Sequence, residues 1–206
     1  MYEFVIVANE YLQKDIIGFY HADYVGYKKH GNPDYINTLK NTYNSFSQAI
    51  LISAIQELKS VLLDDFPRIL QKLQVSNLTV CVVPRAKAET NYQANQLLFK
   101  TTIRNAISQL NGFDDGTDYI MRHTNTKTTH LPAHTPNYNN DGQRPYSGIT
   151  TETCNISSNV KGKDILLIGD LYTKTVNIDE DAIQALLNNG AYTVTFYAIG
   201  CTVSNK

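Results

Sequence analysis

Residues 165–177 read ILLIGDLYTKTVN: four apolar residues, a Gly-Asp pair, a short polar turn and the start of an amphipathic run. That order predicts a buried strand feeding a helix, with a turn between them where an anion can sit. Backbone N–H groups of such a turn and of the first helical residues converge on a phosphate, and the helix dipole favours its negative charge. The donors belong to Thr173, Lys174, Thr175, Val176 and Asn177. Thr173 and Asn177 add side-chain donors, Lys174 adds a positive charge, and Asn177 also suits an N-cap. Asp170, at the strand end, is placed to accept hydrogen bonds from ligand hydroxyls. Against this stand Asp179, Glu180 and Asp181 in the first helical turn, which complement the dipole themselves and repel a phosphate. The competing reading is an ordinary strand-to-helix turn.

Other groupings carry less chemistry. His130 and His134 have HxxxH spacing with His123 nearby, but Pro132 between them works against a helical presentation, so they read as loop histidines and no metal site is assigned. Cys81, Cys154 and Cys201 are far apart, lack CxxC spacing and fit a reducing compartment better than a disulfide or zinc framework. No GxSxG pattern is present, and no nucleophile is assigned. The fourteen tyrosines and the YKKH run at 27–30 could stack single-stranded nucleic acid, although packing and surface roles account for most of them. Nucleic-acid binding stays open.

The elements that position these residues follow from periodicity. Residues 1–40 are tyrosine-rich, with turn signals at HGNPD, and read as short strands or turns ahead of the main body. From about Ser45, Ile50, Ile52, Ile55, Leu58, Leu62 and Leu63 predict one long helix ending before Pro67, with a second short helix in PRILQKLQ. LTVCVVP, apolar and β-branched, predicts a strand covered on both faces. A helix follows over TNYQANQLLFKTTIRNAISQL, capped by Thr90 and Gln93 and ended by NGFDDG. TDYIMRH reads as a second strand, and residues 124–148 as a long polar loop of functional or disordered type. The last third predicts a βαβ unit: KGKDILLIGD as strand, LYTKTVN as turn, IDEDAIQALLNNG as helix stopped at Gly190, and AYTVTFYAIG as strand.

Over roughly residues 78–202 this order resembles the type I phosphoribosyltransferases, most closely the branch of the competence protein ComF. The family signature is a hydrophobic strand, two acids, an apolar residue, any residue, then Thr-Thr-Gly-any-Thr, a turn that cradles the ribose 5-phosphate of phosphoribosyl pyrophosphate (PRPP). Here Gly169 stands for the first acid and Asp170 keeps the second, with Leu171, Tyr172 and Thr173 in the next three places. Lys174, Thr175, Val176 and Asn177 stand where Thr-Gly-any-Thr is expected. PRAKAE at 84–89 resembles the family's basic turn, and RHTNTKTTHL, GQRPYSG and VKGKDILLIGD resemble its later series. The tyrosine- and lysine-rich entry at 18–39 is similar too, without the family's cysteine pairs.

The resemblance implies an α/β fold with a mostly parallel sheet flanked by helices, residues 1–44 forming an N-terminal cap and 45–206 the phosphoribosyltransferase-like domain. It implies Asp170, Arg85 and Lys87 as catalytic residues, with Asp170 on the ribose and the two cations near the diphosphate. Arg122 and Arg144 come next, and Mg²⁺ enters only through a bound diphosphate. Thr175 in place of glycine disfavours a positive φ, and Gly169 removes a carboxylate, so affinity should fall below that of an intact site. The expected function is PRPP or nucleotide binding at 170–177, with catalysis undecided. The alternative is a non-catalytic nucleotide-sensing or regulatory protein, antitoxin-like or accessory to DNA processing, whose partner is a protein of DNA processing or defence.

At 206 residues the chain is long enough for one domain with a sizeable core. A net charge of −1 and 18% charged residues give no sign of a surface built to coat nucleic acid or membrane. No apolar run approaches the roughly 18 residues of a membrane helix, and the N-terminus lacks a basic flank with a long apolar run, which reads as cytoplasmic.

Overall fold

The computed structural model describes residues 1–43, 45–128, 131, 140, 142 and 148–203. In chain order these form β1 (Tyr2–Ile6), β2 (Ile16–Tyr24), α1 (Tyr35–Leu39), α2 (Gln48–Leu73), β3 (Leu78–Val82), α3 (Leu98–Ile107), β4 (Phe113–Asp115), β5 (Ile120–Arg122), β6 (Cys154–Ile156), β7 (Asp164–Tyr172), α4 (Ile178–Asn188) and β8 (Thr193–Thr202). A six-stranded sheet has the order β1-β2-β8-β7-β3-β4, parallel throughout except for edge strand β1, which runs antiparallel to β2. The protein is therefore α/β, with a mostly parallel sheet flanked by helices.

The central strands are apolar on both faces because both faces are covered. Ile165 and Leu167 of β7 point into a core shared with α4 and the β5–β6 hairpin, through Ile183, Leu186 and Ile120. Leu166 and Ile168 point the other way, into a core shared with α1, α2 and α3, through Leu39, Phe66 and Ile103. A strand's two-residue period thus feeds two cores from one run of sequence.

Several boundaries differ from expectation. Helix α2 continues through Pro67 to Leu73. Pro67 sits on the exposed side, where water can reach the Leu63 carbonyl left without a donor. Leu62, Phe66 and Ile69 are fully buried around it. At about 1.5–3 kcal/mol per buried side chain they outweigh the roughly 3 kcal/mol cost of an interior proline. The buried stripe is Leu51, Ala54, Leu58, Leu62, Phe66 and Ile69, which leaves Ile50 and Ile52 exposed.

Helix α3 starts at Leu98 rather than near Thr90, and the reciprocal capping bonds join Gln93 and Gln96 around a single 3₁₀ turn. The segment TDYIMRH contributes only β5, which pairs with β6 outside the main sheet. The strand beyond β3 is instead β4, inside the segment read as a helix stop; Leu78 pairs with Phe113 and Val80 with Asp115. FDD has no strand signature, so only parallel pairing along β3 creates it. β7 runs two residues past Asp170, since Leu171 and Tyr172 pair with Gly200 and Cys201 of the long β8. The turn accordingly begins at Thr173.

The division at residue 44 is not a division of the sheet. β1 and β2 are integral strands, and β2 pairs with β8 from Gly18↔Phe196 to Tyr24↔Thr202. Residues 25–43 form the part that packs over the carboxyl ends of the strands, with Pro33 and Tyr24 beside Gly200. Among the described residues no helix is long and apolar enough to cross a membrane.

Candidate functional site at the carboxyl edge of the sheet

From β3 the chain leaves through α3 to β4 on one side, and from β7 it leaves through α4 to β8 on the other. The two connections diverge between adjacent strands, which opens a crevice beyond their carboxyl ends, the place where open parallel sheets bind ligands. On the β3 side of it lies a cleft with about 380 Å³ of empty space, part of it open solvent, which neither β7 nor the turn at 173–177 lines. Its lining includes Lys40, Pro84, Arg85, Gln96, Phe99 and Lys100.

Asp170 stands at the β7 side of this crevice, its Oδ1 2.7 Å from the Lys40 ammonium. Burial works against its charge, but Lys40, helped by backbone hydrogen bonding and by Arg85, outweighs burial and holds the carboxyl below its usual range. Lys40 also lies over the Phe99 ring, 5.4 Å from its centroid. No spacing or motif singles out Lys40, which follows a five-residue helix in a turn-rich segment.

Arg85, in the loop after β3, faces the same place but is committed to the backbone. Its Nη1 donates to the Gln96 carbonyl at 2.5 Å, and its Nη2 donates to the carbonyls of Lys40 at 2.9 Å and Asn41 at 3.2 Å. Its guanidinium stacks on Tyr92 at 4.0 Å. Gln96 Nε2 adds bonds to the carbonyls of Asn41 and Thr42. Together these side chains clasp the 25–43 segment onto the β3 loop and fix where Lys40 begins.

Lys87 is buried, its backbone N–H bonded to the Tyr92 hydroxyl. Arg122 is buried below the loop, where it donates to the carbonyls of Arg85 and Gly148. Arg144, His130 and His134, with most of the long polar loop, lie outside the described residues. His123 meets Thr124 and the Thr151 carbonyl. Among the described residues, no group of three or more His, Cys, Asp or Glu side chains is placed to hold a metal ion.

The turn at 173–177 closes with the Val176 N–H donating to the Thr173 carbonyl. Lys174, Thr175 and Val176 are exposed, and Thr173 shares a hydroxyl hydrogen bond with Thr202. The positive φ of the turn falls on Asn177, at 58°, and not on Thr175. Asn177 occupies the N-cap position without a side-chain cap bond, and its Oδ1 accepts from Asn9 instead.

Carboxylates crowd the first turn of α4. Glu180 accepts from its own backbone N–H and from the Tyr172 hydroxyl, and burial pushes its carboxyl up. Asp181 accepts from the Ile149 N–H and is likewise raised by burial. Asp179 is raised well above its usual range by burial, then by Glu180 and Asp170. Its Oδ1 sits 3.2 Å from where a Cβ on Gly169 would stand, and Phe196 Cζ is closer still at 2.9 Å. Any side chain at 169 would collide there, so the strand leaves this space to Phe196 and to the Asp179 carboxylate of α4.

The crevice thus unites Asp170, Lys40 and Arg85, with Asp179 behind them, while Lys87 and Arg122 support the loops from within. Chemically it offers a carboxylate held low by its neighbours, an adjacent ammonium and nearby acids whose pKa burial raises. Comparison with protein-family models and with curated proteins finds no match for this chain. Its class rests on its own geometry: an α/β protein with a mostly parallel six-stranded sheet and a crevice at the sheet's carboxyl edge.

Proposed function

We propose that the protein binds a phosphorylated ribose, PRPP or a nucleotide, along residues 170–177, in the manner of a ComF-like phosphoribosyltransferase. One juxtaposition supports the reading: the loops after β3 and β7 flank the point where the connections diverge, and Asp170, Lys40 and Arg85 meet there. Asp170, kept ionised, accepts from the ribose hydroxyls, and the turn at 173–177 faces the phosphate. Mg²⁺ would arrive with a bound diphosphate. A cytoplasmic site of action and a protein partner in DNA processing or defence belong to the same reading.

A second reading, a nucleotide-sensing or regulatory protein without catalysis, is favoured by the state of Arg85. Its terminal nitrogens already serve three carbonyls, whereas pyrophosphate departure needs cations directed at the leaving group. Calorimetry with PRPP, AMP and GMP, with and without Mg²⁺, followed by a pyrophosphate-release assay, separates the two. Binding with release supports an enzyme, and binding without release supports a sensor. Asp170→Asn should weaken binding by about 1–3 kcal/mol, as for a hydrogen bond to a charged group. Absence of binding by the unsubstituted chain would refute both readings.

A further inference from the structure

The cations around the crevice differ in what they can still do. Arg85 and Arg122 direct their guanidinium groups at backbone carbonyls, and Lys87 is buried. Lys40 lines the cleft with 18% of its side chain exposed, beside an Asp170 that is 32% exposed. An ammonium carries three donors, and Asp170 accepts from one. The backbone below it is anchored, since the carbonyls of Lys40, Asn41 and Thr42 accept from Arg85 and Gln96. A flexible four-carbon stem on a fixed base lets the ammonium pivot while staying beside the carboxylate.

The helix N-terminus offers less. Glu180 already accepts from its own backbone N–H, and its Oε2 is buried without a partner among the described residues. Asp179 and Asp181 stand on either side of it. An incoming phosphate would meet those acids before it met the dipole.

Building on the ribose-phosphate reading above, we infer that Lys40 contacts the phosphate of a ribosyl monophosphate while Asp170 beside it takes the ribose hydroxyls. The site then suits one phosphate and disfavours the additional diphosphate of PRPP. A ribosyl monophosphate brings hydroxyls to the carboxylate and an anion to the ammonium, so both charges of the Lys40–Asp170 pair stay compensated. Lys100, the other lysine of the cleft, is paired with Glu89 and Asp118, and Lys174 lies out on the exposed turn, so a diphosphate adds negative charge at the Lys40–Asp170 pair without a second cation beside it.

Calorimetry on the full chain with AMP, adenosine and PRPP plus Mg²⁺ tests this, using the unsubstituted protein, Lys40→Met and Lys40→Arg. AMP should bind the unsubstituted chain more tightly than PRPP, a comparison that needs no variant. Lys40→Met should weaken AMP about ten- to a hundred-fold more than it weakens adenosine, and Lys40→Arg should restore most of the difference. Equal losses for AMP and adenosine would mean that Lys40 acts only by placing Asp170, and would overturn the inference while leaving the ribose-phosphate reading intact. Tighter binding of PRPP than of AMP would do the same. Failure of all three ligands to bind the unsubstituted chain would remove the inference together with the reading it rests on.

Discussion

Asp179 stands where its surroundings resist a negative charge: burial comes first, then Glu180 and Asp170. An acid raised in the fold costs nothing below its unfolded pKa, about 3.9, and increasingly more as pH climbs through the folded value. Asp179→Asn should therefore raise the melting temperature at pH 7, with the gain vanishing near pH 4; thermal melts at both pH values check this, and an equal gain at both would point to packing instead. Asp170 has the opposite sign, because its carboxyl is held low. Its contribution is present above about 3.9 and disappears as pH falls through the folded value. Backbone strain also sits where the motif did not put it. Asn177, with φ 58°, tolerates a left-handed conformation that Thr175 does not adopt. Asn177→Gly should leave stability nearly unchanged, whereas Asn177→Val should cost about 1–2 kcal/mol in urea unfolding.

The loop after β3 and the segment over the sheet edge behave as one element because Arg85 and Gln96 join them. Arg85→Ala leaves the carbonyls of Gln96 and Lys40 without this donor and that of Asn41 with Gln96 alone, so urea unfolding should show a loss of at least about 2 kcal/mol. Arg85→Lys should recover little, since a lysine lacks the planar fork that reaches several acceptors. Amide exchange near residues 40–43 should quicken in both variants; unchanged exchange would mean the clasp is not what orders that segment. The same two side chains explain why the sequence misplaced the start of α3. Thr90 and Gln93 have the spacing of a cap, but Gln96 is drawn to the 41–42 carbonyls and bonds back to Gln93. Local spacing describes what a segment can do alone, and here a distant backbone chose otherwise.

At the scale of the molecule the sheet has two unlike edges. β4 is three residues long and ends in Asp114 and Asp115, which discourages further pairing. β1 is longer, with Tyr2 and Val5 exposed, Val7 and Ile17 exposed beside them, and Glu3 as its charged residue. Such an edge invites another strand, and a net charge of −1 offers little repulsion. Val5→Lys should lower self-association in concentrated solution, read by light scattering, while changing stability by no more than about 0.5 kcal/mol. What the sequence alone determined was the material of each layer: the apolar runs of β3, β7 and β8, the helical character of α2 and α4, and the β7–α4–β8 unit with its helix stopped at Gly190. Those features depend on spacings of two to four residues, which the chain carries locally. Only tertiary structure decided that β2 would lie against β8, that FDD would become a strand on β3, and that the clasp would set Lys40 beside Asp170. Those meetings depend on strand order and on backbone acceptors from remote segments, which periodicity does not encode.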